Sequence, residues 1–211
     1  MEREELVSSL THLLYAAVAV FLTVVAIFKG VRLSSPYHIV SYSIFGASMI
    51  LLYLASGFYH LIPKNTKAKL ILKKVDHIMI FFMIAGTYTP FCLITLNGGW
   101  GWSIFGTIWG LALSGLIFKL FFINAPRILY TSIYLIMGWI VIVAIYPIYK
   151  NLSASGLLWL VAGGIFYTVG AVIYAIKKPN PIPGVFGFHE IWHIFVILGT
   201  TAHFVSVYFY T

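Results

Sequence analysis

The chain has 211 residues, of which 61% are hydrophobic and only 9% are charged, and its formal net charge is +8. Soluble domains carry roughly 25% charged residues, so this composition excludes a globular protein whose whole surface faces water. The basic residues stand in short connections between apolar segments rather than along one helix face, which favours a membrane protein and argues against a nucleic-acid partner.

Seven apolar segments follow one another along the chain, and most run about 17 to 23 residues, enough to cross roughly 30 Å of hydrocarbon as a helix. Backbone groups in lipid need partners within their own segment, and segments of this length without alternating polarity fit helices rather than barrel strands. We therefore predict one all-α integral membrane domain over residues 1–211, built as a seven-helix bundle. Its helices are predicted at residues 10–28, 37–62, 77–96, 102–122, 128–149, 156–176 and 188–210.

Basic residues are unequally divided between the two sets of connections. The set that includes the N-terminus carries ten Lys and Arg, five of them from Lys64 to Lys74, whereas the opposite set carries three. Because basic loops are retained inside, we predict a cytoplasmic N-terminus and an external C-terminus. The five lysines are also predicted to attract anionic lipid. Lys119, near the end of the fourth segment, is expected to snorkel to the headgroups.

Four ionisable residues at the ends of apolar segments fall at one predicted depth. His60 ends the second segment, Asp76 precedes the third, and His189 and His193 begin the seventh. The last two are one helical turn apart and about 40° apart around the axis, which presents two imidazoles to one metal ion. Three imidazoles and a water would form an open tetrahedral zinc site, and zinc would lower the pKa of that water to about 7.

Three further residues are candidates for chemistry beside the zinc. Asp76 is placed to orient or deprotonate the water. Ser56, one turn before His60, either faces the metal or hydrogen-bonds to its own helix. Glu190 stands in an H-E-x-x-H pattern, where the glutamate of zinc proteases is the general base, or it caps the start of its helix. The further residues of the metzincin pattern are absent, so a protease of that class is not expected.

The remaining histidines receive other assignments. His203 follows His193 by ten residues, roughly 15 Å along a helix, so it is expected to make a buried polar contact rather than bind the same ion. His77 and His38 are expected to be structural. His12 enters the first helix at the depth of the site, where it either orients a metal ligand or only caps the helix.

Five motifs taken together resemble the hemolysin III family, the bacterial branch of the progestin and adipoQ receptor superfamily. They are E-L-V-S-S-L-T-H at 5–12, S-G-F-Y-H at 56–60, K-V-D-H at 74–77, G-T-Y-T-P at 86–90 and P-G-V-F-G-F-H-E-I-W-H at 183–193. The resemblance implies seven helices in a bacterial plasma membrane. It also implies a zinc ion held by His60, His189 and His193, with Asp76 on the zinc-bound water and Ser56 in the site.

Three functional classes follow from the site and the resemblance. The adiponectin receptors of this superfamily are credited with ceramidase activity, which implies a zinc-dependent hydrolase whose substrate is a membrane lipid amide or ester. A non-enzymatic sensor or regulator would need zinc only as a structural clamp. A cytolytic pore, suggested by the family's name, would need polar residues across the bilayer. Such residues are few here, so the hydrolase is preferred to the pore.

Overall fold

The structure, a computed structural model, describes residues 3–211 and contains seven helices in that range that are long and apolar enough to cross a membrane. This confirms the predicted all-α, seven-helix architecture, since the described residues form no strand beyond an isolated bridge between Ile182 and Phe186. The helices are α1 (Arg3–Arg32), α2 (Pro36–Leu61), α3 (Lys67–Leu96), α4 (Gly98–Phe121), α5 (Arg127–Asn151), α6 (Ala154–Ile176) and α7 (Phe188–Tyr210).

The start of α3 differs from the prediction. The helix begins at Lys67, ahead of the predicted start at His77, and the Thr66 side chain caps it by accepting a hydrogen bond from the Lys69 amide at 3.1 Å. Hydropathy marks only the part of a helix that suits lipid, whereas backbone hydrogen bonding continues through the charged residues ahead of it. Asp76 therefore lies in the third turn of α3 rather than at its start.

Two helices of the bundle contain irregular turns. α3 ends in a π-helical stretch at Phe91–Leu96, and α5 tightens to a 3-10 helix at Ile140–Ala144. The Tyr88 hydroxyl of α3 accepts a hydrogen bond from the Val141 amide at 2.8 Å and donates one to the Gly138 carbonyl at 2.7 Å. Because lipid offers no partner to a free backbone group, this side chain stabilises the irregular part of α5.

Six helices of the bundle form a ring. α1 packs against α2, α2 against α3, α3 against α5, α5 against α6, α6 against α7, and α7 returns to α1, while α4 packs against α3. Small residues bring neighbours close, as at Gly86 of α3, where an added Cβ would lie 2.1 Å from the Ser48 hydroxyl of α2. The ring encloses a cavity of about 500 Å³, and the histidines lie at one end of it.

The expectation that Lys119 snorkels to the headgroups is wrong. Its side chain is 0% exposed, and its ammonium group lies 3.7 Å from the centre of the Tyr130 ring of α5. The favourable interaction of a cation with an aromatic face, together with the packing of α4 on α3, explains why the side chain turns inward.

The orientation of the bundle is open to a direct test. The histidine end carries the ten basic residues, so we predict that it faces the cytoplasm and that the C-terminus is external. A reporter enzyme that works only outside the cytoplasm should be active when fused after Thr211. Activity of a cytoplasm-dependent reporter at the same position would instead place the histidines outside.

Candidate metal centre

Three histidines from two helices converge at one end of the cavity. His60 lies in the last turn of α2, and His189 and His193 lie in the first two turns of α7. One nitrogen of each imidazole lies within 4.8 Å of the other two, and this is the only group of metal-ligand type found among residues 3–211. The structure thus brings together the three residues predicted to bind zinc.

The spacing of the imidazole nitrogens suits zinc. His60 Nε2 and His189 Nε2 are 3.2 Å apart, and two tetrahedral ligands about 2.0 to 2.1 Å from one zinc ion are about 3.3 Å from each other. Two neutral imidazoles can share a hydrogen bond at the same distance, and the rest of the donor set distinguishes a metal site from such a pair. The third imidazole, that of His193, and a supporting carboxylate make the donor set typical of zinc.

The supporting carboxylate belongs to Glu5 of α1. His60 Nδ1 donates to Glu5 Oε2 at 3.0 Å, and the Lys69 ammonium donates to the same oxygen at 2.8 Å. Lys69 is held in turn by the Tyr59 carbonyl at 2.9 Å. With its Nδ1 proton fixed on Glu5, His60 turns an unprotonated Nε2 towards His189, which is the tautomer that a metal ligand needs.

His12 of α1 contacts the third ligand directly. Its ring stacks on the His193 ring with a centroid separation of 3.6 Å and an angle of 12°. The Tyr53 ring packs against it in a T-shaped arrangement with a centroid separation of 5.0 Å. Neither ring nitrogen of His12 has a hydrogen-bond partner within the described part of the chain. Of its two predicted roles, positioning a metal ligand fits this stacking better than capping a helix.

Asp76 and Ser56 face each other at the same end of the cavity. Both side chains line it together with the three histidines. The Ser56 hydroxyl lies near the Asp76 carboxylate, and His60 is close enough to interact with that carboxylate electrostatically. Ser56 therefore faces the site across the interface between α2 and α3, and Asp76 is a carboxylate available to a water molecule near the imidazoles.

Glu190 is engaged at the start of α7. Its Oε1 accepts a hydrogen bond from the Ser8 hydroxyl at 2.6 Å, and its Oε2 accepts one from the Gly187 amide at 2.8 Å. The side chain is only 2% exposed. Both oxygens thus serve to cap α7 and to attach it to α1, which supports the capping role over that of general base.

The histidines outside the cluster have other partners. His203 Nε2 donates to the Leu160 carbonyl at 3.1 Å, which confirms the buried polar contact predicted for it. His38 Nδ1 is 2.7 Å from the Ser35 hydroxyl, at the opposite end of the bundle.

Sequence reasoning missed Glu5 and Ser8 as members of the site. They are three residues apart, and His12 follows four residues later, so all three fall on one face of α1. Polar residues at this spacing in an otherwise apolar helix could have shown that α1 faces the site. The connection to His60 and Glu190 is a tertiary contact that the spacing does not reveal.

Beyond the histidines the cavity becomes apolar. It extends between α3, α5 and α6 towards the other end of the bundle, and its lining there is dominated by aliphatic and aromatic side chains. These include Met83, Ile84, Phe91, Leu96, Ile148, Leu160 and Val161. A polar centre with an apolar chamber behind it suits an amphiphilic molecule better than a small polar solute.

Removing the charge of Glu5 should weaken metal binding. Glu5→Gln loses the carboxylate that fixes the His60 tautomer, and the loss of such a partner typically costs about 10- to 100-fold in metal affinity. Competition with a chromogenic zinc chelator would measure this. Glu4→Gln is the matched control, because Glu4 instead accepts a hydrogen bond from the Gly184 amide at 3.0 Å. Equal zinc affinity in the two variants would refute a role for Glu5.

Comparison with known proteins relates nearly the whole chain to one family. A family model described as haemolysin-III related matches residues 2–204. The chain is 42% identical over 208 residues to a hemolysin-3 homolog of Bacillus subtilis (strain 168), covering 99% of this chain and 94% of that protein. It is 42% identical over 210 residues to hemolysin-3 of Bacillus cereus, covering 99% and 92%. Human monocyte to macrophage differentiation factor is 25% identical over 171 residues, covering 79% and 68%.

Proposed function

We propose that this chain, which belongs to the haemolysin-III related family as its motifs predict, is a zinc-dependent hydrolase of a membrane lipid amide or ester. Its seven apolar helices and its relatives indicate a multi-pass protein of the bacterial cell membrane. The observation that carries the proposal is the meeting of three imidazoles and the Asp76 carboxylate at one end of a largely apolar cavity.

The donor set determines which chemistry is available. Zinc held by His60, His189 and His193 would supply Lewis acidity to a carbonyl oxygen and to a water molecule. The chain contributes three ligands, the number typical of catalytic zinc sites, whereas structural sites are closed by four protein ligands. This count favours a hydrolase over a sensor that uses zinc only as a clamp.

Asp76 is the residue that we expect to move protons. Its carboxylate can accept a proton from a water molecule beside the imidazoles and return it to the departing amine or alcohol, as a general base and then a general acid. Ser56 lies close enough to hold the carboxylate in position from the neighbouring helix. Glu190 is less suited to this work because Ser8 and Gly187 occupy both of its oxygens.

The apolar part of the cavity would hold an acyl chain. Its volume of about 500 Å³ falls within the roughly 300 to 1,000 Å³ typical of small-molecule sites. An acyl chain that moved from the bilayer into this chamber would keep apolar surroundings, and its carboxyl end would lie near the histidines. The same lining suits an ion path poorly, since aliphatic and aromatic side chains dominate it and offer few ligands to a permeating ion. This supports the hydrolase over the pore.

Lipid turnover with and without the metal tests the proposal. Purified full-length protein in bilayer nanodiscs would be given ceramides and acyl phospholipids, and fatty-acid release would be measured before chelation, after chelation and after zinc is restored. We expect release to stop on chelation and to return with zinc. If zinc-loaded protein released no fatty acid from any of these lipids, the sensor would replace the hydrolase. If the protein instead made the bilayer leak, the pore would replace the hydrolase as the preferred function.

A further inference from the structure

A buried lysine without a polar partner lies beside the cavity. Lys119 of α4 is 0% exposed, and its ammonium group has no hydrogen-bond partner among residues 3–211. The Tyr130 ring, 3.7 Å away, contacts one face of the ammonium but accepts none of its three hydrogens in a conventional bond. A buried charge in this state is costly unless an anion or another polar group joins it.

His77 contacts the same ring, and two further basic side chains lie nearby. The His77 ring centre is 5.2 Å from that of Tyr130; His77 is 8% exposed, and its Nδ1 has no partner in the described chain. Lys119, Lys73 and Arg127 lie within electrostatic range of His77, and Lys73 lies within that range of Lys119. Lys73, His77, Arg127 and Tyr130 also line the cavity. Three nitrogen-bearing side chains thus line the histidine end of the cavity, here called its mouth, and the fourth, Lys119, packs against Tyr130 of the same lining.

No carboxylate within residues 3–211 neutralises this group. Glu5 is paired with Lys69 and His60, and neither salt bridge of the described chain includes Lys73, Lys119 or Arg127. Of the three other Asp and Glu side chains in that range, Glu4 accepts a hydrogen bond from the Gly184 amide, Glu190 accepts one from Ser8, and Asp76 lies near Ser56. Lys73, Lys119 and Arg127 therefore have no ion-pair partner among residues 3–211.

We propose that Lys73, His77, Lys119 and Arg127 form a binding site for a phosphate anion at the mouth of the cavity. Arginine and lysine are the side chains that match phosphate oxygens best in charge and in donor geometry. Arg127 keeps donors for this purpose after one of its nitrogens bonds the Tyr174 carbonyl at 3.0 Å. The proposal does not depend on zinc or on hydrolysis.

The surroundings favour the phosphate of a membrane lipid over a dissolved one. The exposed apolar side chains of Phe121 and Phe122 follow Lys119 closely, so the site lies at the boundary between the apolar and polar parts of the bundle. The apolar chamber next to it would take the chains of the same lipid. Tyr130 bonds Tyr174 at 3.2 Å, and the Tyr174 ring is 5.8 Å from that of His189, so a bound headgroup would lie beside the metal centre.

Two neighbouring lysines provide a matched test. Lys73 lines the cavity, whereas Lys74 does not and donates instead to the Leu120 carbonyl at 3.1 Å. Delipidated full-length protein would be titrated with dioleoyl phosphatidic acid, and bound lipid would be counted by native mass spectrometry. We expect one tightly bound lipid per native chain. Lys73→Gln and Lys119→Met should each bind it about five-fold more weakly, whereas Lys74→Gln should bind it as the native chain does.

Further measurements separate the possible outcomes. Lys119→Met removes a buried, unpartnered ammonium, so its midpoint of thermal unfolding without lipid should not fall below that of the native chain. Inorganic phosphate could instead displace the lipid from native protein and raise the thermal midpoint of the native chain but not that of Lys119→Met. That result would confirm the site and identify its ligand as a dissolved phosphate. Equal lipid affinity in the native chain, Lys73→Gln and Lys119→Met would overturn the proposal. So would a loss in Lys74→Gln as large as in Lys73→Gln.

Discussion

Asp76→Asn should lower lipid hydrolysis by about 10²- to 10⁴-fold, the usual contribution of a general base, while leaving zinc bound. The substitution keeps the size and one oxygen of the side chain but removes its ability to accept a proton at neutral pH. Because the metal would be held by the three grouped histidines and not by Asp76, it should remain bound. Fatty-acid release and zinc content, measured on the same preparation, would check both halves of this prediction.

Glu190→Gln distinguishes the two carboxylates. Glutamine can still accept the hydrogen bond from Ser8 or from the Gly187 amide, so α7 should keep most of its cap and hydrolysis should persist. Release that is lost in Glu190→Gln but retained in Asp76→Asn would assign the base to Glu190, as in H-E-x-x-H enzymes. A fall in zinc content in Asp76→Asn, with no lipid consumed by the native protein, would instead make Asp76 a support for a structural metal.

Loss of any one histidine of the cluster should remove most of the metal. We expect the native chain to hold about one zinc ion, and His60→Ala, His189→Ala and His193→Ala each to lower zinc affinity by more than about ten-fold. A residue that merely orients a ligand is worth about 10- to 100-fold, so loss of the ligand itself should cost at least as much. Elemental analysis after dialysis against a weak chelator would measure the zinc retained.

His203→Ala provides the control for these variants. His203 lies on the same helix and is also buried, but it bonds the Leu160 carbonyl and is not among the three grouped histidines. Its removal should leave the zinc content unchanged. Full retention of zinc by all three cluster variants would show that the metal is held elsewhere.

The sequence predicts the bundle and the three histidines because both depend on simple periodicities. Hydropathy over about 20 residues identifies a membrane span, and a separation of four residues brings His189 and His193 to one side of a helix. The depth of His60 follows from the alternating direction of the spans. The structure confirms the seven helices and brings these histidines together.

The features that the sequence did not reveal depend on contacts between helices. Glu5 supports His60, and Ser8 supports Glu190, only because α1 packs beside both α2 and α7. Lys119 turns inward because an aromatic ring of another helix, Tyr130, receives it. A charge near the end of a span is compatible with snorkelling and with burial alike, and the choice depends on neighbours that hydropathy does not identify.

X-ray absorption at the zinc edge of the purified native protein would test the metal centre most directly. A zinc ion held by His60, His189 and His193 predicts about three nitrogen scatterers at about 2.0 to 2.1 Å with the outer-shell pattern of imidazole, plus one further light atom in the open position. Loss of the imidazole pattern in His60→Ala would assign the ligand. A spectrum with oxygen ligands alone, or native protein that binds no zinc after incubation with the ion, would contradict the centre and the hydrolase built on it.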